Sequence, residues 1–307
     1  MGIDVRSLLY FVAVAEEGSF TRAAVRLDIQ QPPLSRQIKL LERDLGLQLF
    51  HRKPRGVELT AAGRVLLTEA RTTLSQLERG LEATRRTARG EQGRLSLGIA
   101  PTAPFHPLVP RSIRAYRDLF PDVSLTLWEG LSNEVVARFA KAEMDVAFVR
   151  AARLHDEELR VTPLLEEDMI VALPDQHSLA QRRGGKKVAL ARLANDPFII
   201  IGPPGTGIHD ETIAACMNAG FSPRIGQQAP RITSTLGLVA AGLGVAIVPE
   251  SMQRMTMDGV AFRALSDVQP KAFLGLASRR SDSSPLVRKF ISTVRDVARA
   301  HSSQLRR

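Results

Sequence analysis

Ser35, Arg36, Lys39 and Arg43 share one side of a helical register, opposite Leu34, Ile38, Leu41 and Leu45. A hydroxyl, two guanidiniums and an ammonium projecting from one helix face can donate to base edges and phosphates, which is the chemistry of a major-groove reader. Alternatively, such a face is simply solvated. The run His51-Arg52-Lys53-Pro54-Arg55-Gly56 then places three permanent cations at a turn between Leu47–Phe50 and Val57–Leu59. A hairpin with that tip can reach phosphates or a narrow minor groove. Far downstream, Phe198-Ile199-Ile200-Ile201 leads into Gly202-Pro203-Pro204-Gly205-Thr206-Gly207 and a helical run. A glycine turn feeding a helix N-terminus offers backbone N–H groups to a small anion, or is only a tight turn. The outline is that of a phosphate loop, but Ile208 and His209 stand where Lys and Ser/Thr are required, which argues against nucleotide hydrolysis.

Other polar groups fall at the ends of strand-like runs: Thr102 after the first, Ser132 after the second, Arg150 after the third, and Thr233 or Ser234 before Leu236. Hydroxyls, free N–H groups and one arginine suit a carboxylate-bearing metabolite, and Pro101 and Phe105 near the first site would add an apolar wall that favours an aromatic or unsaturated acid. Ser132 and Ser234 also read as plain helix caps. Catalysis finds little support. The six histidines are dispersed, the single cysteine (Cys216) sits in a helix-like run, and no G-x-S-x-G elbow is present. The acidic cluster Glu166-Glu167-Asp168 reads as a solvated strand end. No metal and no cofactor are expected.

With 307 residues, 44% hydrophobic and 24% charged, the chain reads as about two globular domains. Its net charge of +10 points to an anionic partner. Residues 1–90 hold fifteen Lys/Arg against ten Asp/Glu, so half of that excess is packed into the first ninety positions. No apolar run reaches the roughly twenty residues of a membrane span, and the N-terminal apolar stretch carries charges unlike a signal peptide. A cytoplasmic protein is expected.

The elements that must hold these groups follow from periodicity. Leu8, Phe11, Val12 and Ala15 mark a helix closed by Gly18; Ser19–Leu27 is a second, capped by Ser19. After the turn at residues 28–31, Pro32 and Pro33 fit the first turn of the third helix. From Thr60 to Ala88 a long helix carries Leu67, Leu74 and Leu81 seven apart, with Ala70 and Leu77 three after the first two, an a/d seam for pairing with a second copy. Its first turns can instead pack on their own domain. Beyond Arg89-Gly90 short strands alternate with helices, which predicts an α/β region with largely parallel sheets.

The run Ser19-Phe-Thr-Arg-Ala-Ala-Val-Arg-Leu27, followed in order by Gln31–Ile38, Leu41–Arg52 and Leu59–Gly63, resembles the winged helix-turn-helix of the LysR-type transcriptional regulators. The resemblance extends more loosely through Leu95–Pro101, Phe120–Val123, Met144–Phe148, Leu164–Asp168 and Leu236–Pro249. It implies three segments: a winged helix-turn-helix over residues 1–60, a linker and dimerisation helix over 61–90, and an effector domain over 91–307. That domain would be a two-lobed, type 2 periplasmic-binding-protein-like α/β fold, with lobe 1 over about 91–164 plus 269–307 and lobe 2 over about 165–268. Two crossing strands would fall near residues 164–167 and 265–269. By the same resemblance Gln31, Pro32, Ser35 and Arg36 face base edges, Lys39 lies near the groove or a phosphate, and Ser19, Thr21, Arg52 and Arg55 contact backbone or minor groove. Thr102, Ser132, Arg150, Gly202, Pro203, Thr206 and Thr233 would line the effector cleft. The partners implied are double-stranded DNA, a small organic acid, further copies of the chain in a homodimer or homotetramer, and RNA polymerase; no membrane is involved. A two-lobed solute-binding protein or enzyme would account for the last two hundred residues but leaves residues 19–59 without a role.

Overall fold

The computed structural model describes residues 3–54, 56–152, 154, 156–181, 187–229 and 231–305, and the chain divides into two compact units, Met1–Arg86 and Thr87–Arg307.

The first unit begins with α1 (Val5–Glu17), α2 (Phe20–Arg26) and α3 (Gln31–Leu45). Asp4 caps α1 by accepting from the Ser7 N–H at 2.7 Å, and Gly18 ends it in the left-handed region at φ 58°. Ser19 caps α2, its hydroxyl accepting from the Arg22 N–H at 3.4 Å. Asp28 turns the chain at φ 52°, a conformation that aspartate tolerates better than most residues. Pro32 and Pro33 occupy the first turn of α3, where no N–H is needed. A hairpin follows, β1 (Phe50–Lys53) with β2 (Gly56–Leu59), in the register Phe50 with Leu59 and Lys53 with Gly56. The Glu42 carboxylate accepts from the Leu49 N–H at 2.8 Å and so ties the hairpin's start to α3, while the Val57 N–H donates to Gly18 O at 3.0 Å. Phe11, Val14, Leu34, Ile38, Leu41, Leu49 and Phe50 form one dry core among the three helices and the hairpin.

The long helix α4 (Ala61–Ala88) starts beneath this core. Its seam is not used uniformly. Ala70 is buried and Leu67 half-buried against the unit's own core, whereas Leu74 is half-buried and Leu77 and Leu81 lie exposed. Of the expected dimer seam, Ala70 is thus taken up by the chain's own core and Leu67 partly so, while Leu74, Leu77 and Leu81 lie off that core.

The second unit is built on a mixed sheet. In chain order its elements are β3 (Gly93–Ile99), α5 (Leu108–Leu119), β4 (Val123–Glu129), α6 (Ser132–Ala140), β5 (Val146–Val149), β6 (Leu159–Pro174) and β7 (Lys187–Val188). Then come β8 (Pro197–Ile201), α7 (Gly207–Asn218), β9 (Arg224–Ala229), α8 (Ile232–Ala240), β10 (Ala246–Pro249), β11 (Val260–Leu265), β12 (Lys271–Arg279) and α9 (Pro285–Leu305). The strand order is β4-β3-β5-β12-β6-β11-β7, with β10 also on β6, while β8 and β9 pair apart. Strands β3, β4 and β5 are parallel, as βαβ connections require, but β12 and β6 run antiparallel to their neighbours. The expectation of largely parallel sheets therefore holds only within each lobe's βα repeats.

The reason is β6. Its first ten residues, Leu159–Asp168, pair with β12 in lobe 1, and Met169–Pro174 pair with β10 and β11 in lobe 2. The crossings thus fall at Asp168/Met169, just past the expected 164–167, and between Leu265 and Lys271, overlapping the expected 265–269. Each lobe has its own core, around Leu97, Tyr116, Phe148 and Phe290 in the first and Val171, Phe198, Leu236 and Val248 in the second. Among the described residues no helix is long and apolar enough to cross a membrane.

Gly63 sits where α4 passes the hairpin, and a Cβ there would lie 2.2 Å from Leu49 O. Gly63→Ala should destabilise the first unit by about 1–3 kcal/mol, the usual cost of overpacking, leaving the unfolding of the second unit unchanged in denaturant titrations that resolve the two.

Candidate functional site

Two sites take shape, one in each unit. In the first, α3 divides cleanly: Leu34, Ile38 and Leu41 point into the core, and Gln31, Pro32, Arg36, Lys39 and Arg43 are exposed, with Ser35 half-buried. Arg43 lies 3.5 Å from Asp44, but among the described residues neither Arg36 nor Lys39 has an ion-pair partner. Arg52, exposed on β1, lies over the Phe20 ring at 5.9 Å, which links the hairpin to α2. Lys53 pairs with Glu58 across the hairpin at 2.5 Å. Thr21 is exposed and Ser19 half-buried at the start of α2, and Arg55 lies outside the described residues. One surface therefore carries a helix face with uncommitted cations and a cationic strand beside it, an arrangement that can bind a polyanion.

The second unit holds the predicted cleft residues, and the structure revises several of their roles. Arg150, just past the end of β5, is 4% exposed, and among the described residues its Nη1 completes no hydrogen bond although it lies against Glu167. Its Nε donates to Thr102 Oγ1 and its Nη2 to Thr102 O, both at 3.1 Å, and its Nη1 lies 2.7 Å from the buried Glu167 carboxylate. Burial pushes the guanidinium's pKa down and Glu167 opposes the shift. Arg150 is thus a buried structural charge, not the free anion receptor expected of it. Glu167, expected at a solvated strand end, is its counter-ion and also accepts from Ser251 N at 2.8 Å.

The glycine turn is likewise spent internally. Gly202 N donates to Ala229 O at 3.0 Å, Gly205 N to Asp210 Oδ1 at 3.0 Å, and Thr206 N to Pro203 O at 3.3 Å, while Pro203 and Pro204 have no N–H. The expected cradle within Gly202–Thr206 is therefore closed, and the N–H groups left over at this end belong to the first turn of α7. Thr206 precedes α7 and donates its hydroxyl to Pro203 O at 2.7 Å. Lobe 1 approaches this turn closely: a Cβ on Gly202 would stand 3.7 Å from Leu131, and one on Gly207 1.9 Å from Arg150 O. The Arg231 guanidinium of lobe 2 bonds Glu129 of lobe 1 at 2.9 Å across the same gap. Thr102, Gly202, Pro203 and Thr206 are thereby held at the lobe junction. Ser132 is the first residue of α6, capped by Leu131, and its side chain lies outside the described residues. Thr233 is exposed in the first turn of α8, whose cap is Arg231, and among the described residues no hydrogen bond joins it to the others.

Behind the Arg150–Glu167 pair a cavity of about 870 Å³ opens among His106, Glu167, Ser251, Arg254 and His301. The His106 and His301 rings meet edge to face at 5.3 Å. His106 Nδ1 accepts from the Leu108 N–H at 3.2 Å, and burial lowers its pKa to about 4, with Arg150, His301 and Arg254 acting in the same direction and Glu167 against them. Cys216 is fully buried in α7, and burial pushes its thiol up to about 12, so it packs as an inert hydrophobe.

Comparison with known proteins decides the family. Residues 5–64 match the bacterial regulatory helix-turn-helix protein family of lysR type, and residues 88–299 match the LysR substrate binding domain. The chain belongs to the LysR family of transcriptional regulators. It is 36% identical to the HTH-type transcriptional regulator AlsR of Bacillus subtilis (strain 168), over 94% of each chain. It is also 36% identical to BudR of Raoultella terrigena, covering 94% of this chain and 99% of that one. Among solved structures the LysR family regulator CbnR superposes with a TM-score of 0.83 at 31% identity, over 95% of this chain and all of that one. Full-length CbnR complexed with its target DNA gives 0.81 at 31% identity, over 96% and 100%. This LysR-family chain is accordingly a DNA-binding regulator with an effector-binding domain. Sequence reasoning missed Glu167, His209 and Gln228 of the second unit. Glu167 could have been found by carrying the strand alternation two residues upstream from Met169; Gln228, on an exposed strand edge, gives no such signal.

Two outcomes follow. Removing one partner of the buried pair, by Arg150→Met or Glu167→Leu, should cost about 3–5 kcal/mol in denaturant unfolding, and the double variant should recover most of it. Because the His106 pKa is lowered on folding, protons bind the unfolded chain first. Stability should therefore fall as pH drops from about 6.5 towards about 4, and His106→Asn should flatten that limb of the pH–stability curve.

Proposed function

We propose that this LysR-family regulator reads operator DNA through α3 and the β1–β2 hairpin and answers to a small carboxylate bound between the lobes of its second unit. Gln31, Pro32, Ser35 and Arg36 meet base edges, Lys39 the groove or a phosphate, and Ser19, Thr21, Arg52 and Arg55 the backbone or minor groove. What carries this reading is the state of Arg36 and Lys39, exposed on a rigid helix and without a carboxylate partner among the described residues. The complex of CbnR with its target DNA supports it. Leu74, Leu77 and Leu81 pair with a second copy along α4, and two such pairs make a tetramer that can engage RNA polymerase at a promoter. The chain works in the cytoplasm and carries out no catalysis of its own.

For the effector, Thr102 Oγ1 accepts from Arg150 Nε, and among the described residues that hydroxyl's own hydrogen has no recorded acceptor, so it can donate. Thr102 and the first turn of α7 therefore offer donors to a small acid without a free guanidinium, and the acid biases one arrangement of the lobes over another.

The DNA half is tested with the intergenic DNA upstream of the protein's own gene. Arg36→Ala should lose about tenfold or more of the preference for that DNA over scrambled sequence, in line with 1–3 kcal/mol for a base contact. Arg52→Ala should weaken both alike and reduce the salt slope by about 0.9. Unchanged site preference in Arg36→Ala would remove α3 as the reader.

A further inference from the structure

Gly202 turns at the lobe junction in the left-handed region, at φ 71°. Its side-chain direction faces Leu131 of lobe 1 and the Thr206 hydroxyl, the latter 3.0 Å from where a Cβ would stand. Its carbonyl oxygen is held on other partners altogether. Gln228 Nε2, on β9, donates to it at 2.6 Å, and His209 Nδ1, on α7, lies 3.0 Å away. A carbonyl can only accept, so the hydrogen of this imidazole sits on Nδ1. Two donors fill both lone pairs of one oxygen, and Gly202 N is itself bonded to Ala229 O. His209 is only 7% exposed and is rigidly placed by α7, whereas Gln228 is exposed on its strand.

This matters because an unpinned carbonyl in a glycine turn can swing. An acceptor turned towards the junction would repel an acid and leave Thr102 and the first turn of α7 as a poorer donor set. We infer that His209 and Gln228 are the positioning residues of the effector wall: by jointly holding the Gly202 carbonyl inside lobe 2, they keep the junction free of a backbone acceptor and so select for an anionic head group. The inference rests on the proposed binding of a carboxylate between the lobes. It adds two residues that need not touch the ligand but decide which charge it carries.

The test uses the full-length protein and its one tryptophan, Trp128, which ends one residue before the Glu129 that meets Arg231 across the junction. Fluorescence titrations with acetate, succinate and benzoate are run on the wild type and on Gln228→Leu, His209→Leu, His209→Asn and the double Leu variant. Asn places an amide N–H close to the position of Nδ1, so it keeps the donor while changing the ring. For whichever acid the wild type binds, His209→Asn should stay within about threefold, and each Leu variant should weaken binding about tenfold, the worth of one hydrogen bond. The double variant should lose more than the product of the two, because each donor partly covers for the other. Amide exchange over residues 202–208 should rise in the double variant and stay at the wild-type rate over 245–248. If His209→Leu does not fold, Gln228→Leu, at an exposed position, carries the comparison alone. Wild-type affinity in Gln228→Leu and His209→Leu would overturn the inference and leave the cleft reading intact, as would equal losses in His209→Asn and His209→Leu. Absence of any response by the wild type to all three acids would overturn the cleft reading, and the inference with it.

Discussion

One buried carboxylate organises the second unit. Glu167 stands two residues before β6 passes from lobe 1 to lobe 2, and it takes a guanidinium from lobe 1 and an N–H from Ser251, just past β10 in lobe 2. Two opposite charges this deep attract strongly but lose most of their hydration, so the arrangement persists only while every partner is present. Arg150 then extends the link to Thr102 through two hydrogen bonds. The crossing strand, the lobe-1 wall and the start of lobe 2 are thereby fixed to a single point.

That constraint shapes what the junction can bind. Because Arg150 is paired with Glu167 from within, the acid proposed to bind between the lobes would be met by dipoles and hydroxyl groups, which favours a small head group over a polyanion. It also separates the rigid from the movable. The Arg231–Glu129 pair across the gap is largely exposed, and such pairs are worth about 0–1 kcal/mol. It can open at little cost while the crossing strands hold. A ligand that prefers one lobe arrangement then has a low barrier to bias, which is the requirement for a population shift.

The DNA-reading unit was legible from sequence because its determinants are local. Gly18, Ser19, Pro32 and the stripe Leu34–Ile38–Leu41 each act within one or two helical turns, and the structure places them as their chemistry demands. The second unit was legible in outline only. Its lobes, strand rhythm and glycine turn could be read, but Arg150 meets Glu167 and Gly202 meets Gln228 over long separations that no periodicity encodes. The errors share one cause. A polar residue at a strand end is expected to face solvent or ligand, whereas here Arg150 faces a residue inside the crossing strand β6 and the Gly202 carbonyl faces its pairing neighbour β9. The seam on α4 shows the same limit, since heptad spacing cannot distinguish packing on a partner from packing on the chain's own core.

Under the proposed function, ligand and DNA act on one equilibrium, so their effects must be reciprocal. The most direct measurement titrates the full-length protein with the acid that quenches or enhances Trp128, with and without saturating operator DNA, and titrates the DNA with and without saturating acid. DNA should change the affinity for the acid by the same factor as the acid changes the affinity for DNA, and this factor should differ from one. An acid that binds with identical affinity in the presence and absence of DNA would contradict that reading.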